Sequence, residues 1–312
     1  MEKFLVTGGA GFIGSNICKK LVSQGCFVRV LDNLLTGKKS NLADIMDKIE
    51  FIEADMGDDQ IARSSMKDID IVLHQGALPS VPRSVDDPAA SHRHCVDATF
   101  TLLLAARDAG IKRFVYAASS SAYGDTPTLP KVETMPTSPL SPYAVGKLVG
   151  EYYCSVFTQV FGLETISLRY FNVFGPNQDP KSQYAAAIPA FVTAILKDQP
   201  PTIYGDGQQS RDFTHVDNVV EANLLAARAE QTKGQVINIA CGRAVTVNEI
   251  IEMINNNLGK NVKPIYTDSR PGDVKHSLAD ITAAQNLIGF KPVISFEQGL
   301  HQAIDWYRDN LL

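Results

Sequence analysis

Tyr143-Ala-Val-Gly-Lys147 pairs a phenol with an ammonium at a spacing that puts both on one face of a helix. A neighbouring positive charge favours the phenolate, so the Tyr143 pKa is expected to fall below its reference of about 10. A phenolate near neutral pH takes a proton from an alcohol. Upstream, Ser119, Ser120 and Ser121 follow the apolar run Phe114-Val-Tyr-Ala117. Their hydroxyls are placed to hydrogen-bond a sugar and to relay a proton to Tyr143. Tyr-x-x-x-Lys is common on helix surfaces and serines are common in turns, so both patterns need support from the rest of the chain.

That support lies at the N-terminus. Gly8-x-x-Gly11-x-x-Gly14 stands between the strand pattern Phe4-Leu-Val-Thr7 and a helical pattern reaching about Ser23. Glycines allow a tight turn and close approach of backbone to a pyrophosphate, and the helix start offers N–H groups and a positive dipole end. The next strand pattern, Phe27-Val-Arg-Val-Leu31, closes on Asp32, just before Asn33. A carboxylate there accepts hydrogen bonds from ribose hydroxyls and repels a 2′-phosphate, which favours NAD over NADP. Asp55, after the third strand pattern, is read either as a contact near the adenine edge or as a strand-end cap.

Strand patterns at Ile49–Ile52, Ile71–His74, Phe114–Ala117 and Thr165–Arg169 alternate with helical stretches, the clearest over Asp97–Ala109 and Tyr143–Phe161. This rhythm predicts an α/β fold: a Rossmann-type, doubly wound parallel sheet. After Tyr170 the rhythm breaks, and Gly, Pro, Asn and Gln accumulate from Gly175 to Gln183. A smaller, interleaved C-terminal lobe is expected. Residues 1–170 would bind the dinucleotide, with sheet contributions from about 210–240, and residues 171–312 would mainly bind substrate.

The chain has 312 residues, 45% apolar and 20% charged, with a formal net charge of -5. The acidic balance argues against nucleic acid, and the Lys38-Lys39 and Lys112-Arg113 doublets read as solvated surface. Five cysteines without a Cys-x-x-Cys fit a reducing compartment rather than a disulfide framework. No secretory pattern or membrane-length apolar run is read, so a cytoplasmic protein is expected. His92 and His94 diverge on a helix and no carboxylate spacing completes a site, so no metal is expected.

Across essentially its whole length the chain resembles the extended short-chain dehydrogenases/reductases of the NAD-dependent nucleotide-sugar epimerase/dehydratase type. The resemblance rests on Thr7-Gly-Gly-Ala-Gly-Phe-Ile-Gly14, His74-Gln-Gly-Ala77, Ser119-Ser-Ser-Ala-Tyr-Gly124, Tyr143-Ala-Val-Gly-Lys147, Leu168-Arg-Tyr-Phe-Asn-Val-Phe-Gly-Pro176, Arg211-Asp-Phe-Thr-His-Val-Asp217 and Arg270-Pro-Gly-Asp273. It implies a permanently bound NAD, a nucleoside-diphosphate sugar as substrate and a homodimer built on the Tyr143 helix. It makes Ser119, Tyr143 and Lys147 the catalytic trio, with Lys147 on the nicotinamide ribose. It extends the cofactor site to Phe12, Ile13, Asn33, Gly37, Asp55, Met56, Gln75 and Ala77. It places Asn172, Arg211 and Arg270 on the diphosphate and Tyr204 against the base.

Dehydratases of this kind carry Asp-Glu after the catalytic hydroxyl, where this chain has Ser120 and Ser121. Hydroxyls suit a reaction without elimination, which favours 4-epimerisation. Ser277 aligns with the residue that gates the sugar pocket, and its small size leaves room for an N-acetyl group. The segment Leu78-Pro-Ser80-Val-Pro-Arg83-Ser84 is similar to the loop of epimerases that prefer acetylated sugars. UDP-GlcNAc/UDP-GalNAc is therefore the expected substrate pair, serving a surface polysaccharide or glycan precursor. Arg83 is read either as a contact to a sugar carboxylate or hydroxyl or as a surface arginine. Cys95 stands where the family has an Asn that braces the lysine region.

Overall fold

The computed structural model describes residues 1–179, 187–268 and 275–311. Its strands are β1 (Lys3–Thr7), β2 (Phe27–Asp32), β3 (Glu50–Glu53), β4 (Ile71–His74), β5 (Arg113–Ser119), β6 (Thr165–Tyr170), β7 (Val173–Phe174), β8 (Thr202–Tyr204), β9 (Ser210–Asp212), β10 (Thr214–His215), β11 (Gln235–Ile239), β12 (Ala244–Thr246) and β13 (Ile265–Thr267). Its helices are α1 (Phe12–Ser23), α2 (Asp59–Ser65), α3 (Val81–Asp86), α4 (Pro88–His92), α5 (Ala98–Asp108), α6 (Pro142–Phe161), α7 (Ala187–Leu196), α8 (Val216–Arg228), α9 (Val247–Leu258), α10 (Thr282–Ile288) and α11 (Phe296–Leu311).

Seven strands form one parallel sheet in the order β3-β2-β1-β4-β5-β6-β11. Order reverses between β1 and β4, so the crevice for a ligand opens at the carboxyl ends of those strands. The inner strands β1, β4, β5 and β6 are buried almost throughout because helices cover both faces. One face packs on α1, α8 and α10 through Ile17, Leu21, Val219, Ala222 and Ile288. The other packs on α2, α5 and α6 through Ala62, Leu102, Leu103, Cys154 and Phe157. A separate apolar cluster, with Phe174, Phe191, Phe213, Phe296 and Ile250, forms the core of the second lobe.

The last sheet strand, β11, comes from beyond the second lobe's first elements and pairs with β6 from Gln235↔Ile166 to Ile239↔Tyr170. Among the described residues, no helix is long and apolar enough to cross a membrane.

Helix α6 carries Tyr143 and Lys147. Ser141 caps it by accepting the Ala144 N–H, Pro142 sets its first turn, and Gly162 ends it in the left-handed region at φ 74°. The helix lies close to β5 because it offers Gly150 there. A β-carbon at Gly150 would sit 2.3 Å from the hydroxyl oxygen of Tyr116, a fully buried β5 residue. Gly146 does the same toward Cys95, at 3.0 Å. Replacing Gly150 with Ala should therefore destabilise the protein by about 1–3 kcal/mol through overpacking. Thermal denaturation checks this; an unchanged midpoint would show that α6 can move outward freely.

Candidate active site

A cleft of about 710 Å³ runs along the carboxyl ends of the sheet strands. At one end it is lined by Gly8, Gly11, Phe12, Ile13 and Gly14 of the first turn, Asp32, Asn33 and Gly37 after β2, and Met56, Gln75 and Ala77. Gly11 caps α1 without a side-chain hydrogen bond, so the first-turn N–H groups of α1 keep their donor capacity. A β-carbon at Gly14 would lie 2.2 Å from the Gly8 carbonyl oxygen, and one at Gly8 2.7 Å from Gly76. Only glycine permits this approach.

Asp32 Oδ2 accepts from the Ala10 N–H at 3.0 Å and Oδ1 from the Leu34 N–H at 2.8 Å. Burial pushes this carboxyl up and the two N–H groups oppose that push. Each oxygen retains a lone pair for a ribose hydroxyl. A glycine cradle, an uncapped helix start and an acidic strand end fit a dinucleotide with free ribose hydroxyls. Just beyond β3, Asp55 takes the Asn33 side-chain amide at 3.1 Å and the Gly57 N–H at 2.8 Å.

At the other end Ser80, Arg83, His94, Ala117, Ala118, Tyr143, Lys147 and Tyr170 share the wall. Ser119 is hydrogen-bonded to Tyr143 and accepts from the Ser121 hydroxyl at 2.8 Å. A hydroxyl relay from phenol to Ser121 is thus assembled, with Ser120 in the same short turn.

The expected lowering of Tyr143 by Lys147 is not what the chain alone produces. Burial pushes the phenol up and Cys95 adds to this, while the Ser119 bond opposes both. Lys147 is only 3% exposed, donates to the Ala117 carbonyl at 2.8 Å and lies 5.0 Å from the Tyr116 ring centre. Burial also pulls the ammonium down from its ordinary value.

Cys95 occupies a π-helical turn, Arg93–Asp97, between α4 and α5. Its thiol reaches the Leu78 carbonyl at 3.8 Å, so Lys147 is braced by the Ala117 carbonyl rather than from position 95. Behind the trio, His74 is held between Thr7 at 2.7 Å and Thr99 at 2.9 Å. Burial first and the Lys147 charge second keep it well below its usual range. His74 is a neutral core bridge.

The second lobe brings Asn172 and Ser277 into contact: Asn172 Nδ2 donates to Ser277 Oγ at 3.1 Å and to the Asp212 carbonyl at 2.9 Å. Both amide hydrogens are paired within the chain. Asp212 accepts from the N–H groups of Cys241, Gly242 and Ala279, and burial nonetheless pushes its carboxyl up to about 6. Arg211 Nη1 donates to the Ser210 and Lys275 carbonyls, both at 3.0 Å. Tyr204 stands on β8 beside Thr267 of β13, partly exposed. Arg270 lies outside the described residues. Sequence reasoning did not find His94, Tyr170, Gln178 and Asp179 as cleft residues, nor Lys38. Tyr170, at the carboxyl end of β6, was accessible to the strand-end rule; His94 sits in the short π-helical turn, and Lys38, Gln178 and Asp179 in irregular segments that carry no periodic signal.

This sheet order, with its nucleotide turn after the first strand and a Tyr–Lys helix against β5, marks a Rossmann-type enzyme of the short-chain dehydrogenase/reductase class. Residues 4–240 match the family described as "NAD dependent epimerase/dehydratase family", and the chain belongs to it. NAD is the cofactor of this family. The chain is similar to a solved UDP-N-acetylglucosamine 4-epimerase from Methanobrevibacter ruminantium in complex with UDP-N-acetylmuramic acid, with 41% identity, TM-score 0.95, and 99% and 98% of the two chains covered. It is also similar to a UDP-glucuronic acid 4-epimerase from Bacillus cereus, solved with UDP-glucuronic acid and NAD, with 32% identity, TM-score 0.90, and 98% and 99% covered. A UDP-glucose 4-epimerase of Mycolicibacterium smegmatis is 35% identical over 309 residues, 98% of each chain.

Gly37 offers a direct test of the cofactor end. A β-carbon there would lie 2.9 Å from both Asp32 carboxylate oxygens and 3.0 Å from the Ala10 backbone. Gly37→Ala should weaken NAD binding by about tenfold or more. Titration of cofactor-stripped protein by calorimetry measures it; parental affinity would remove Asp32 from the ribose contact.

Proposed function

We propose that this NAD-dependent UDP-sugar 4-epimerase works on UDP-GlcNAc and UDP-GalNAc, with non-acetylated UDP-sugars as secondary substrates. The observation that carries the acetylated reading is Ser277. It is a small residue, hydrogen-bonded to Asn172, at the position where the family resemblance puts the gate of the sugar pocket. A 41% identical relative is named a UDP-N-acetylglucosamine 4-epimerase, which supports it. In this reading residues 1–170, with β11, hold the cofactor, and residues 171–312 mainly hold the nucleotide sugar.

NAD, when bound, supplies a hydride acceptor and donor for C4 of the sugar and a positive ring near Tyr143. Tyr143 as phenolate takes the proton of the 4-hydroxyl, and Ser119 and Ser121 relay it. Lys147, fixed by the Ala117 carbonyl, orients the ribose. The flat 4-keto sugar turns in the pocket and is reduced on its other face, and Tyr143 returns the proton. Ser120 and Ser121 provide no carboxyl group for elimination, so the product keeps the mass of the substrate.

A second reading, a UDP-hexuronate, is favoured by Arg83 and His94, which share the cleft wall with Tyr143 and suit a carboxylate. The protein also pairs as a homodimer in this proposal. Val145, Tyr152, Val156 and Val160 form an exposed stripe on α6, beside Phe100 of α5. A second copy covers this stripe, and size-exclusion chromatography with light scattering would show a monomer if it does not.

Incubation with UDP-GlcNAc, UDP-Glc and UDP-GlcA, with products resolved by chromatography and mass, decides the substrate. Isomers of unchanged mass are expected, fastest from UDP-GlcNAc; loss of water would establish a dehydratase. Tyr143→Phe should retain NAD and lose turnover by about 10²–10⁴-fold. Substantial residual turnover would remove Tyr143 as the base. Ser277→Tyr should depress kcat/KM for the acetylated sugar by about tenfold or more relative to UDP-Glc. Equal effects on both sugars would dismiss the gate.

A further inference from the structure

Directly after β7 the chain doubles back onto the nucleotide turn. Asn16 of α1 donates to the Pro176 carbonyl at 3.1 Å, and the Asn177 amide donates to Ser15 Oγ at 3.1 Å. Lys38, beyond β2, meets Asp179 at 2.6 Å. From the other side Tyr307 of α11 donates to the Gln178 carbonyl at 3.0 Å, and Gln178 donates to the Val173 carbonyl at 3.1 Å. Lys38, Gln178 and Asp179 line the same cleft as Gly11, Asp32 and Gly37. Asn177 holds φ at 69°, a conformation that a non-glycine residue keeps only when its surroundings enforce it.

We propose that residues 176–179 are a cofactor-retaining brace, in which the substrate lobe clasps the nucleotide turn through Asn177–Ser15, Asn16–Pro176 and Lys38–Asp179. The inference rests on the proposed 4-epimerisation. That reaction removes a hydride from C4 and gives it back, so no net oxidant is consumed and the cofactor never has to leave. Losing the reduced cofactor between the two steps would strand a 4-keto sugar. A contact that slows cofactor departure, built from groups other than the sugar's own contacts, is what such a cycle needs. Lys38 and Asp179 act by positioning. Their side chains are 54% and 37% exposed, and an ion pair this open changes a rate by no more than about fivefold alone. The brace therefore depends on the pair acting with the asparagine contacts.

The test is the rate at which NAD leaves the purified holoprotein, measured without any sugar nucleotide. Samples are withdrawn during dialysis and the nucleotide released on denaturation is quantified. Lys38→Met and Asn177→Gly should each release NAD severalfold faster than the parent, and the double variant about tenfold faster. Glycine at 177 keeps the positive φ and removes only the amide, so folding is preserved. The charge swap Lys38→Asp with Asp179→Lys should return the rate to within about twofold of the parent. Thermal midpoints with saturating NAD should stay parental. Release rates of the single and double variants equal to the parent's would overturn the proposal, as would a swap that loses NAD as fast as Lys38→Met. A wrong substrate assignment would leave these rates untouched and appear only in the product assay.

Discussion

The chemistry depends on how closely one helix lies against one strand. With glycine at 150, α6 comes down onto the Tyr116 ring to a distance that no β-carbon would allow, and glycine at 146 keeps it tight against Cys95. That depth lets the Lys147 ammonium reach the Ala117 carbonyl and the Tyr143 phenol reach Ser119. Both side chains sit within the first turns of a helix capped by Ser141, so their directions follow from the backbone. The same depth takes Tyr143 out of water and pushes its pKa up. In the chain as it stands the phenol is therefore hard to ionise, held so by its own burial.

A second constraint centres on a buried carboxylate. Asp212 is fully buried at the end of β9 and gathers N–H groups from the turn after β11 and from Ala279. Its own backbone carbonyl and N–H meet Asn172 and Ser277. Segments distant in sequence are thus fixed to one side chain. The cost of burying that carboxylate is visible in its upward shift to about 6, despite several N–H partners.

Much of the sheet was legible in the sequence because its strands are short apolar runs bounded by turn residues, and the cofactor loop because glycine spacing there answers a steric demand. The surroundings of Asn172 and Asp55 were less legible. Their hydrogen-bond partners, Ser277, Asp212, Asn33 and Gly57, are set by tertiary packing, which spacing does not encode. The π-helical turn at Arg93–Asp97 lies ahead of the helical pattern read from Asp97, because a single widened turn is too short to set up a periodicity of its own. The short helices α3 and α4 begin at Ser80 and Asp87 caps followed by proline, signals that look like loop residues until the chain around them is known.

The pairing of β11 with β6 also orders events during synthesis. The strands β1 to β6 emerge first and can assemble with their helices, but β6 keeps one edge open until Gln235–Ile239 has been made. By then β7 to β10 and α7 and α8 have already been synthesised. An uncovered parallel edge is a template for pairing with another chain, and contacts of such long sequence separation form late. The sheet is therefore completed by a pairing of long sequence separation, after the strands that flank the nucleotide turn have been made.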